Sequence, residues 1–139
     1  MDTEDTNFSF VQHTFSGRYE DRITVTRSRS IGLPKAFFDD NHVADYKFAT
    51  LYYDKGNSAI GIVFTNDEEP GKVTINRNNN GYGGQIPAIS FFKANRINTK
   101  KFAGRYDYEK KKLSELGFNK PGDMYIIRLV ESEQVDEGP

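Results

Sequence analysis

Arginine and lysine are the residues of this chain best suited to chemistry with a partner. Arg27 and Arg29 leave a short alternating stretch, Ile23-Thr24-Val25-Thr26, and Arg77 leaves a similar one, Val73-Thr74-Ile75-Asn76. A guanidinium at a strand end can donate two hydrogen bonds to guanine O6 and N7 in a major groove. Lys35, Lys93, Lys100 and Lys101 suit phosphate contacts, which hold a protein on a duplex and make its binding salt-dependent. These seven are the candidate nucleic-acid-binding residues. Lys110-Lys111-Lys112 is a further basic run, either a phosphate-positioning patch or a solvated helix face. Tyr52, Tyr82, Tyr106 and Tyr108 lie among basic residues and suit stacking on single-stranded bases. For most of them a strand position makes core packing the simpler role.

Catalysis has little support. The chain has no Cys, which excludes disulfides, thiolate nucleophiles and Cys-ligated metals. Its two histidines, His13 and His42, stand in different contexts, and no HExxH or EF-hand spacing occurs. Asp39-Asp40-Asn41-His42 reads as a solvated helix end rather than a metal site. Gly81-Tyr82-Gly83-Gly84 lacks the Lys and Ser/Thr of a phosphate-binding loop. The expectation is a non-enzymatic protein with no cofactor and no metal.

The elements that carry these residues repeat. Ile23-Thr24-Val25-Thr26-Arg27 is echoed 50 positions on by Val73-Thr74-Ile75-Asn76-Arg77. Phe37-Phe38, Val43, Phe48 and Tyr52 are echoed 54 positions on by Phe91-Phe92, Ile97, Phe102 and Tyr106. Ile60-Gly61-Ile62-Val63-Phe64 is echoed 65 positions on by Tyr125-Ile126-Ile127-Arg128-Leu129. Extra residues fall in polar stretches, around 78–84 and 108–122. Such a plan predicts an α+β chain, mostly β, with duplicated strand–strand–short helix–hairpin units forming a pseudo-two-fold β-barrel. The predicted organisation is a flexible arm over 1–16, a first unit over 17–66, a second over 72–130 sharing its core, and an acidic disordered tail over 131–139.

Within each unit, turn and period signals place the elements. Alternation predicts strands at Ile23–Thr26, Tyr46–Tyr53, Ala59–Phe64, Phe102–Tyr108 and Met124–Val130. Pro34 suits the first position of a short helix reaching about Asn41, and a second helix is expected over Ile89–Asn95. Lys110–Leu116 reads as about two helical turns ended by Gly117.

The 139 residues carry a formal net charge of −1, and that figure hides a segregation. All 19 Lys and Arg lie between Arg18 and Arg128, with 13 acids among them, so the body carries +6; the seven remaining acids give the tails −7. A basic body attracts phosphate, and acidic tails weaken non-specific binding or simply aid solubility. With no long apolar run and no basic-then-apolar leader at MDTEDTNFSF, the chain is expected to be cytoplasmic and to have no membrane partner.

The first unit resembles the AbrB/SpoVT-like swapped-hairpin DNA-binding family. The resemblance rests on the strand Ile23-Thr24-Val25, the basic turn Arg27-Ser28-Arg29, the stretch Ile31-Gly32-Leu33-Pro34-Lys35-Ala36-Phe37 and the strand pair within Tyr46–Phe64. In the second unit Ile86-Pro87 stands for the Leu-Pro-Lys stretch, and Leu116 to Asp123 looks like the family's helix-to-strand turn. The resemblance implies a barrel of two interleaved hairpin units and a role in transcription regulation or as an antitoxin. Arg27, Arg29 and Lys35 carry over to the family's DNA-contacting positions, and Arg77 follows through the repeat. The sequence therefore predicts a double-stranded DNA-binding regulator, with a homodimer as one form. A single-stranded DNA- or RNA-binding protein and a protein–protein adaptor remain open beside it.

Overall fold

In the computed structural model, residues 21–78 and 83–131 are described, and they form two five-stranded antiparallel sheets. The expected arm, the centre of the Gly-rich loop with Tyr82, His13 and the acidic tail beyond Glu131 lie outside the described residues. The first sheet has the order β6-β7-β2-β1-β8 and the second β5-β3-β4-β10-β9. The strands are β1 Ile23–Val25, β2 Ser30–Leu33, β3 Phe48–Asp54, β4 Ala59–Thr65 and β5 Val73–Thr74. They continue with β6 Asn76–Arg77, β7 Gly84–Pro87, β8 Gly104–Tyr106, β9 Glu109–Lys112 and β10 Asp123–Arg128. The helices α1 Lys35–Asp40, α2 Ile89–Ala94 and α3 Thr99–Phe102 are short. A mostly β chain with short helices is thus present, but as two open sheets rather than the expected closed barrel.

Each sheet draws strands from both halves of the chain. β2 pairs with β7 and β1 with β8 in the first sheet; β4 pairs with β10 in the second. The inward residues of both sheets meet in one core. Ile23, Val25, Ile31 and Ile86 come from the first sheet, Ile60, Ile62 and Ile127 from the second, and Phe37 and Phe92 from the helices. All nine are buried to within 1 % exposure. Period-2 alternation sends the neighbouring side chains outward. On the far face of the second sheet Val63, Leu113 and Met124 form a smaller cluster, edged by Tyr52, Phe118 and Ile126.

Three segments depart from the sequence expectation. Lys110–Lys112 is strand, not helix, because the Glu109–Lys112 backbone pairs with Asp123–Ile126. Three lysines side by side have no helix-forming packing of their own, so tertiary pairing decides. Only the 3-10 turn Leu113–Leu116 keeps a helical sense, closed by Gly117 at φ 94°. The expected strand Phe102–Tyr108 is shorter and is preceded by α3, which alternation could not reveal. Val73–Arg77 is also split: Ile75 N donates to Lys47 O at 3.0 Å, and there the chain passes from the second sheet to the first.

The two halves share backbone detail at a separation of 54. Asn41 follows α1 and Asn95 follows α2, and each Nδ2 donates to the carbonyl four residues back, Phe37 O at 3.0 Å and Phe91 O at 2.9 Å. The next residues, His42 and Arg96, are both left-handed with φ 54°. Arg29 and Gly83, again 54 apart, are left-handed as well, at φ 70° and 84°. Each closes the hairpin turn that leads into the following strand.

Candidate nucleic-acid interface

The β1–β2 turn is built around one hydroxyl. Thr26 Oγ1 accepts from Ser30 N at 3.0 Å and lies 2.8 Å from Ser30 Oγ and 3.0 Å from Ser28 Oγ. Thr26 N donates to Ser30 O at 3.0 Å, and Arg29 N donates to Thr26 O at 3.1 Å. A three-residue loop of this kind needs its last residue in the left-handed region, which usually selects Gly. Here it is Arg29. A left-handed non-glycine costs about 1–2 kcal/mol. The turn holds Arg27 and Arg29 exposed at its tip.

Two other segments are tied to this turn. Ala88 N, which precedes α2, donates to Arg29 O at 3.0 Å. Thr99, 4 % exposed, donates from its hydroxyl to Arg27 O at 3.0 Å. Asn98 caps α3 by accepting from Lys100 N at 2.9 Å. Lys100 and Lys101 are therefore presented beside the turn, exposed, with Lys101 Nζ 3.5 Å from Glu131. Lys93 lies in the last turn of α2, also exposed. Arg105 joins this end of the sheet, because β8 sets it opposite Thr24.

Lys35 and Arg77 are elsewhere. β2 and β7 are antiparallel, pairing Ser30 with Pro87 and Leu33 with Gly84. The β1–β2 turn lies at the first of these pairs and the β6–β7 turn at the second, about 10 Å of strand away. Lys35 opens α1 at that far end and pairs with Asp39 at 2.6 Å. Arg77 is turned back onto the backbone. Its Nη2 donates to Tyr46 O at 2.6 Å and Ala44 O at 2.9 Å, with Val43 O at 3.5 Å, and its guanidinium lies 5.7 Å from the Phe38 ring centre. The expected symmetric pair of groove-reading arginines, Arg27 with Arg77, is not brought onto one surface.

Sequence reasoning passed over Thr99, the residue that joins turn and helix. Its signal was Asn98, a good N-cap, directly before Thr-Lys-Lys. The tyrosines proposed for stacking are mostly structural. Tyr106 is buried, and its Oη lies 2.6 Å from Phe102 O and 2.9 Å from Val130 O while accepting from Val130 N at 3.2 Å. That burial pushes its pKa up. Tyr52 packs on Phe118, and Tyr108 on Phe37 edge-on at 4.9 Å.

Among the described residues no group of three or more His, Asp or Glu side chains is placed to hold a metal ion, and no helix is long and apolar enough to cross a membrane. Comparison of the chain with protein-family models, with characterised proteins and with solved structures finds no match.

Proposed function

We propose that this chain is a non-enzymatic nucleic-acid-binding protein, a cytoplasmic transcription regulator that prefers duplex DNA and meets it with the β1–β2 turn and α3. The observation that carries the reading is the Thr99–Arg27 hydrogen bond, which gathers Arg27, Arg29, Lys100 and Lys101 from two distant segments. Four exposed cations on the turn and the helix tied to it suit phosphates, and an arginine at the tip of a narrow hairpin suits a groove. Duplex is favoured over single strand because Tyr106 is buried and Tyr52 and Tyr108 are half-buried against Phe118 and Phe37, which reduces the ring surface left for stacking.

We read the two halves as copies of one unit, in keeping with the resemblance noted in the sequence. The matched Asn caps and left-handed residues 54 apart fit two copies of one unit. So does the pairing of β4 with β10. Ile60 faces Ile127 and Ile62 faces Tyr125, a pattern that maps onto itself when 60 is exchanged for 125 and 62 for 127. On this reading an approximate two-fold axis passes between Gly61 and Ile126.

A mobility-shift assay against duplex DNA, single-stranded DNA and RNA at two salt concentrations tests the proposal. Retardation of duplex that weakens steeply with salt, and that is lost in Arg27→Ala/Lys100→Ala, is the expected result. No retardation of any probe at low salt overturns it and leaves the adaptor reading.

A further inference from the structure

The end of α1, the start of β10 and the edge strand β9 line a cavity of about 300 Å³. It is remote in composition from the basic turn. Its walls are the rings of Tyr46, Phe64 and Tyr125, and its rim carries Asp40, Asp45 and Asp123. Phe64 stands between the two tyrosines, 6.2 Å from the Tyr46 ring centre and 5.5 Å from that of Tyr125.

The aromatic wall is held in place from behind. Tyr125 Oη donates to Asn41 Oδ1 at 3.2 Å, and Asn41 Nδ2 donates to Tyr108 Oη at 3.3 Å. Phe37 packs edge-on to Tyr125 at 5.2 Å. Tyr125 is thereby fixed before any ligand arrives, so a ligand meets a preformed ring.

One cation already uses this wall. Lys110 Nζ lies 5.6 Å from the Tyr125 ring centre. An alkylammonium therefore fits against Tyr125, within the distance at which a ring quadrupole attracts a cation. Lys110 alone does not balance the two carboxylates Asp45 and Asp123 that line the cavity with it, and their charges leave a negative surplus. The carboxylates also stand apart, forming no cluster fit for a metal ion. The surplus suits a broad organic cation that touches aromatic faces and carboxylates together.

We propose that this cavity binds an organic cation, an ammonium or guanidinium group on a short alkyl chain, with the rings of Tyr46, Phe64 and Tyr125 as walls and Asp45 and Asp123 as counter-charges. The group arrives either as a free amine or as a basic side chain of another protein. The site stands independently of the nucleic-acid reading, since it shares no residue with the basic turn.

Backbone amide shifts of the full chain, titrated with n-butylammonium, with Nα-acetyl-lysine methylamide and with neutral n-butanol, test this. Both cations are expected to give saturable shifts at His42, Tyr46 and Asp123, and n-butanol none. A tighter fit for the lysine derivative identifies a protein side chain as the source; equal affinity identifies a free amine. Asp45→Asn is expected to weaken binding about tenfold. Lys110→Met, which removes the resident cation, is expected to strengthen it by a similar factor. Both side chains are exposed, so these variants keep the fold. Equal response to n-butanol, absence of saturable shifts, or unchanged affinity in both variants overturns the proposal.

Discussion

The hydroxyl of Thr99 and the carbonyl of Arg27 are 72 residues apart in the chain and 3.0 Å apart in space. The bond ties α3 to the β1–β2 hairpin and so sets the orientation of one against the other. Thr99→Val keeps the shape and removes the donor, leaving the Arg27 carbonyl without that partner. The expected cost is about 1–2 kcal/mol in a denaturant or thermal melt. Nucleic-acid affinity falls as well, although no charge has changed. Thr99→Ser restores both. A melt and a mobility shift indistinguishable from the parent chain would show that the bond positions nothing.

Arg77 and Arg27 are expected to separate stability from binding. Arg77→Lys loses the planar fork that reaches several carbonyls and the stacking on Phe38. Thermal stability drops by about 1–3 kcal/mol while duplex affinity stays near that of the parent. Arg27→Ala does the reverse. Loss of binding in Arg77→Lys with an unshifted melting temperature would return Arg77 to the interface.

Gly83 and Gly61 both lack room for a Cβ, with unequal consequences. At Gly83 the added carbon would overlap the Leu33 carbonyl oxygen and sit 3.0 Å from Lys35 N, on a backbone with φ 84°. Neither neighbour can rotate away, so Gly83→Ala is expected to cost about 3 kcal/mol or more. At Gly61 the overlap is with the Met124 sulfur, part of a flexible side chain. Gly61→Ala is expected to cost about 1–2 kcal/mol, and Met124→Ala in the same chain to recover part of it. Equal losses at the two glycines in urea titrations would contradict this difference.

Alkaline pH should destabilise the protein through Tyr125. Burial, with help from Asp123, Tyr108 and Tyr46, pushes its hydroxyl up to about 12 from an ordinary value near 10. A raised folded pKa means that the folded chain holds the proton more tightly than the unfolded one. The resulting stability is complete below about pH 10 and is lost as pH rises toward about 12. Urea midpoints measured across this range should fall, and fall less steeply in Tyr125→Phe. An identical slope in that variant would assign the alkaline loss to Tyr106 or other groups.

Periodicity made much of the architecture legible. Alternation at Ile23–Val25 marked a real strand because its alternate residues are buried, and the apolar runs Ala59–Phe64 and Met124–Val130 marked strands that bury residues on both faces. Pro34 marked the start of α1, one residue outside the helix, at φ −69° and ψ 164°. Lys110–Lys112 was misread because its side chains are exposed all round. With no buried face there is no period to read, and only the bonds to β10 make it a strand. The basic residues of the candidate site were visible as types. Their grouping was not, since it depends on one threonine and on which ends of two antiparallel strands meet.

By itself, the order of residues determined the β-rich class, the absence of thiol chemistry, the basic body with acidic ends, and the paired short helices. Those properties are local or additive, so they survive without coordinates. Only the folded chain decided that two open sheets form instead of a barrel, that Arg77 faces the backbone, and that aromatic rings gather beneath three aspartates. Each of these depends on contacts between segments tens of residues apart, and such contacts leave no spacing in the sequence from which to infer them.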